Sequence, residues 1–172
     1  MTAPPWTQIP LEGDERTMLL AFLTFYRNEF LDRARGLDAD ELQRPLTDSG
    51  LTLGRLITHM AFVEDIWFRV RLDGEAPAPR FAALDFDADP DAEMTLSHGM
   101  SFDDATEVLH EAIADADARI AASSLDQRTV RTTRAGEHWS LRWILVHMIE
   151  EYARHCGHAD LIREAIDGDT AD

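Results

Sequence analysis

Glu151 and His155 are the residues whose types and spacing most directly suggest chemistry. Four positions apart on a helix, two side chains point the same way, with Cβ atoms roughly 5–6 Å apart, and could grip one ion. The segment around them is apolar at helical spacing. At about 100° per residue, Leu141, Ile144, Met148, Ala159, Ile162 and Ile166 fall in one stripe, and Glu151 and His155 fall near its centre. Cys156, Glu150 and Arg154 lie to either side. A carboxylate on a buried stripe costs several kcal/mol unless its charge is compensated. Periodicity alone leaves two readings open: Glu151 accepts a hydrogen bond from His155 or from an Arg on a neighbouring helix, or the pair holds a metal.

A second segment supplies a third donor. Leu56, Met60, Val63, Ile66, Trp67 and Val70 form an apolar arc, and His59 falls within it. A lone histidine in such an arc is ordinarily a satisfied structural residue. Facing an inward Glu-x-x-x-His pair, however, it completes a set of three. Two neutral imidazoles and one carboxylate around a divalent cation leave a fourth position open to water or substrate, as in catalytic zinc sites. Zinc is the first choice, and nickel, iron and manganese accept the same donors. The donor set itself points to a metal-bound water as the reacting species, and no separate catalytic residue is evident.

Three further residues are candidates for supporting the ligands. His147, one turn before Glu151, lies nearer the edge of the stripe and either supports the set or replaces His59 in it. His158, also near the edge, is expected to orient the ligands by a hydrogen bond or to cap the pocket. Glu64 is placed on the flank of the second segment, solvated or paired with an Arg. His98, His110 and His138 carry no spacing signal. Trp67 and Trp143 read as packing residues, and Cys156 as a small buried residue rather than a nucleophile.

Four helices are needed to position these side chains. The first spans about residues 14–35, with Leu19, Phe22, Leu23, Tyr26 and Phe30 at helical spacing and Gly36 as a stop. The second follows Leu51 and Thr52 and runs to about Leu72, closed by Asp73 and Gly74. The third starts at Ser101, an N-cap with Asp104 three residues on, and carries Val108, Leu109, Ala112, Ile113, Ala116 and Ile120. The fourth follows Ser140 and reaches about Asp167, with Gly168 as its stop. Residues 36–50 read as a short acidic turn region, residues 74–100 as a long Pro- and Asp-rich connection suited to cover a site, and residues 128–133 as at most a short strand or hairpin. The expected architecture is all-α: one domain, with its core at about residues 12–168, folded as a four-helix bundle with a long crossover connection.

Composition excludes several functions. The 172 residues hold 33 Asp plus Glu against 16 Arg and no Lys, a net charge of −17. Such a surface repels nucleic acid and anionic lipid, and without Lys there is no Schiff base and no P-loop. The single Cys156 makes no internal disulfide and fits a reducing compartment. No apolar run approaches the ~20 residues needed to span a bilayer, and residues 1–6 lack the features of a signal peptide. A cytoplasmic protein acting on a small molecule is expected. No H-E-x-x-H, G-x-G-x-x-G or nucleophile elbow is present, and the single Glu-x-x-x-His does not match a di-iron bundle.

Two motifs, Thr58-His59-Met60-Ala61-Phe62-Val63-Glu64-Asp65-Ile66-Trp67 and the run from Leu141 to Asp160 with His147, Glu151, His155 and His158, resemble the DinB/YfiT-like superfamily, with the closest likeness to its actinobacterial mini-circle protein branch. The likeness covers roughly residues 12–168. It implies a four-helix bundle, often dimeric, with a divalent metal near one end of the bundle, usually held by three histidines. The first helix-four ligand is Glu151 here, as in the mycothiol-dependent maleylpyruvate isomerases, whose zinc site is similar at His59, Glu151 and His155. Those enzymes carry a second, C-terminal domain that contributes to the active site; a single-domain protein is expected here, and isomerase activity itself is therefore not expected. The resemblance implies a metal-dependent S-transferase with mycothiol as co-substrate. A related hydrolase, a non-catalytic metal-dependent binding or sensing protein, and a polar cluster without an ion are the alternatives.

Overall fold

The computed structural model describes residues 9–46 and 50–170. The reading of residues 1–6 lies outside them. Four long helical elements form the expected bundle: α1 (Glu15–Asp32), α3 (Leu53–Glu64) with a π-helical continuation (Asp65–Leu72), α6 (Phe102–Ala122) and α7 (Leu141–Asp167). Single turns α2 (Ala39–Leu42), α4 (Pro79–Ala82) and α5 (Ala92–Thr95) lie in the connections. The expected 36–50 turn region therefore contains a helical turn, and the 74–100 connection contains two. Helix starts follow from side-chain caps that satisfy free N–H groups of the first turn. Asp14 accepts from Thr17, Thr52 from Arg55, and Ser140 from Trp143, while Ser101 and Asp104 form a reciprocal capping box. Gly168 ends α7 at φ +79°, a left-handed cap that glycine adopts without strain.

The bundle core is made by Leu23 and Phe30 of α1, Leu56, Ile57, Met60 and Phe68 of α3 and its continuation, Leu109 and Ile120 of α6, and Leu141, Ile144, Met148, Tyr152 and Ile162 of α7. Two details correct the sequence reading. The buried face of α3 is not the arc drawn from periodicity. Val63, Ile66, Trp67 and Val70 are half-buried, whereas Ile57, Ala61, Glu64, Phe68 and Leu72 are buried. Within α3, Ile57, Ala61 and Glu64 share the ordinary helical face of Leu53, Leu56 and Met60, and the wider turns of the π-helical stretch then keep the next four-residue steps, Phe68 and Leu72, on that side. On α7 the stripe is centred on Tyr152, fully buried, and Glu151 lies at its edge.

The β-prone stretch forms a short hairpin-like excursion between α6 and α7. Among the described residues its strand pairing is one isolated bridge, Arg128 with Ser140. Val130 and Arg131 donate to Leu72 O and Arg71 O, docking the excursion on the end of the π-helical turn. No helix of the described residues is long and apolar enough to cross a membrane.

Candidate metal centre

α3 and α7 bring His59, Glu151 and His155 together from widely separated parts of the chain. Each offers one donor atom, and the three atoms lie within 4.8 Å of one another. His155 Nε2 is 3.5 Å from Glu151 Oε2, and the His59 and His155 rings meet edge to face with centroids 5.2 Å apart. His155 is buried, while His59 and Glu151 are partly exposed, so the cluster opens to one side. Burial, then the neighbouring His59 and His158, push the His155 pKa down to about 4. Its imidazole is therefore neutral near pH 7, with a lone pair free, as a metal ligand requires. Two nitrogens and one carboxylate oxygen suit a divalent cation such as zinc.

Other side chains brace this set. His158 Nδ1 lies 3.2 Å from His155 Nδ1, close enough to share one N–H and leave His155 Nε2 facing Glu151. His147 lies on the other side of Glu151, with Nε2 3.6 Å from Oε1, and its Nδ1 is 3.6 Å from Glu150 Oε2. The His147 ring is stacked on Trp143 at 5.0 Å and meets Trp67 edge-on at 4.7 Å. Trp67 is half-buried, whereas Trp143 is 45% exposed and so is not the packing residue the sequence suggested; both lie against a histidine of the site. A second group, His147, Glu150 and Glu151, also offers donor atoms within 4.8 Å. Glu150 is more exposed and is already paired with Arg154.

Glu64 is not where the sequence reading placed it. It is fully buried at the bundle centre, where Arg27 of α1 donates to both of its oxygens at 2.7 Å and the Tyr152 hydroxyl donates to Oε1 at 2.8 Å. An Arg partner was one of the two readings offered for it, but its place is the centre of the buried face rather than the flank: in α3 itself it falls at helical spacing with Leu53, Leu56, Ile57, Met60 and Ala61. Its polar contacts run to Arg27 and Tyr152, not to the histidine cluster. Cys156 is buried, with Sγ near Tyr26 O at 3.6 Å, and burial, then Asp160, push its thiol up to about 12. Such a thiol is inert as a nucleophile near neutral pH.

Glu93 went unrecognised in the sequence. It lies on α5, within the 74–100 connection, and its Oε1 is 3.1 Å from His59 Nδ1. A single helical turn has too few residues to show a periodicity, and only the glutamate's isolation among apolar neighbours, Ala92 and Met94, hinted at burial.

A comparison with curated proteins gives no match. A profile of the family described as Mycothiol-S-transferase matches residues 18–168, a span that takes in all but the first three residues of α1, the other three long helices and every residue of the cluster. The chain therefore belongs to the mycothiol S-transferase family, within the DinB/YfiT-like superfamily.

Proposed function

We propose that the protein is a divalent-metal-dependent S-transferase that joins the thiol of mycothiol to an electrophilic small molecule, with the ion held by His59, Glu151 and His155. The observation that carries this reading is the convergence of those three donor atoms within 4.8 Å in a chain of the mycothiol S-transferase family. When bound, a zinc ion would lower the pKa of a coordinated thiol and so supply thiolate at neutral pH. The chain's own residues hold and orient. Neutral His155 keeps its lone pair for the ion, Glu151 contributes the negative charge, and His147, 3.6 Å from Glu151, is the base that would take up the thiol proton at the Glu151 edge. The sulfur then bonds to the electrophilic carbon as its leaving group departs with the bonding pair. Cys156 takes no part. A reducing cytoplasm suits this reading, since its co-substrate is a free thiol.

Metal analysis of protein purified without a histidine tag, after replenishment, should find one ion per chain. Glu151→Ala should lose it, and full occupancy in that variant would show that the ligands are misassigned. The zinc-loaded protein, incubated with mycothiol and a chromogenic electrophile, should form the conjugate faster than the metal-free protein. Equal rates would overturn the transferase reading and leave a metal-dependent binding protein.

A further inference from the structure

Glu93 is only 7% exposed, and its Oε2 is buried without a hydrogen-bond partner. A buried carboxylate without a cation is costly, and nothing about packing one helical turn against α3 calls for one. Its Oε1, however, is 3.1 Å from His59 Nδ1. With Nδ1–H donated to Glu93, the nitrogen left with a free lone pair is Nε2, and the ring is pinned at the orientation in which it meets His155. Among the described residues, side-chain bonds tie residues 85–100 to the rest of the bundle at only three points. Gln43 donates to Ser97 O at 2.9 Å, Thr58 donates weakly to Met94 O at 3.5 Å, and His59 meets Glu93. The last is the one that joins this connection to the histidine cluster.

We propose that Glu93 is the positioning residue of His59, and that through this hydrogen bond metal binding and docking of the 74–100 connection reinforce each other. The inference rests on the metal reading above but not on mycothiol chemistry. An imidazole coordinated through Nε2 is a stronger donor at Nδ1, and an acceptor held at Nδ1 makes Nε2 a better ligand. Because linkage is reciprocal, any factor by which the docked Glu93 raises metal affinity is the factor by which the metal favours the docked connection. The connection that carries Glu93 is thereby a clasp on His59 that holds harder when the site is filled.

The test uses zinc alone and the full chain as wild type, Glu93→Gln and Glu93→Ala. Zinc affinity is read by competition with a chromophoric chelator, and closure by hydrogen exchange of residues 85–97 with and without zinc. Glu93→Ala should bind zinc about 10–100-fold more weakly, and its exchange should no longer slow on adding zinc, as the wild type's does. Glu93→Gln, which keeps a neutral acceptor, should recover part of both effects. A role confined to packing would change exchange in the metal-free protein while leaving zinc affinity untouched, and that result would overturn the inference. So would zinc slowing exchange as much in Glu93→Ala as in wild type. Uptake of zinc by wild type with no change in exchange would overturn the clasp while leaving the metal site standing. A wild-type chain that takes up no zinc would overturn the metal reading and this inference together.

Discussion

Glu64 and Arg27 form a buried ion pair in the middle of the bundle, and Tyr152 closes it from α7. Burial works against the charge on Arg27, but the facing Glu64 more than offsets it and raises the Arg27 pKa. Burial, then Glu64, keep the Tyr152 hydroxyl protonated. Removing one charge leaves the other unpaired in a low dielectric, so Glu64→Ala should lose about 3–5 kcal/mol of stability. Urea unfolding checks this, and Glu64→Leu combined with Arg27→Met should lose clearly less, since no lone charge remains. Cys156 gives a pH prediction. Its folded pKa of about 12 lies above that of an unfolded thiol, so the protonated form is favoured by folding. That stabilisation is fully present below the unfolded pKa and is lost as pH rises through the folded one. Iodoacetamide at pH 8 should therefore label the native thiol far more slowly than the urea-unfolded one, and equal rates would contradict its burial. Both residues were only half legible beforehand. Their types and Cys156's inertness could be read locally, whereas the partner of Glu64 lies 37 positions away on another helix.

The helical elements were legible because their signals are local: apolar residues at helical spacing, a cap at each start, and a glycine at the end of α7. The π-helical turn after Glu64 was not, since no side chain of Asp65–Leu72 announces a wider turn. Asp65 is buried there and accepts from Ala78 N, and the end of the turn is covered by the 128–131 excursion. Gly74 makes that close approach feasible. It sits at φ +75°, and a Cβ on it would lie 2.5 Å from Val130 Cγ1. Gly74→Ala should therefore cost about 1–3 kcal/mol through left-handed backbone strain and displacement of Val130. Chemical denaturation of that variant, beside Gly136→Ala, separates the two causes. Gly136 has the same positive φ with nothing within 4 Å of the added Cβ, so its loss should be smaller.

For the molecule as a whole, metal binding and folding are linked. Zinc at about 100 times its Kd should stabilise the folded chain by about 2.7 kcal/mol, which for a domain of this size is a rise in Tm of roughly 5–10 °C. Calorimetry of wild type against Glu151→Ala checks it, and the variant should show little of the rise. The chain carries 33 acids against 16 arginines and no Lys, so the sequence by itself leaves no lysine chemistry. It also pointed to the four long helices, the bundle, and the trio His59, Glu151 and His155 as the place to look. These follow from composition and from the 3.6-residue period, which depend on neighbours along the chain. Tertiary structure decided the rest. It centred the α7 stripe on Tyr152 rather than Glu151, paired Glu64 with Arg27, and set Glu93 of a long connection against His59. These are contacts between residues far apart in the chain, made by helix rotation and loop path, and no local periodicity encodes them.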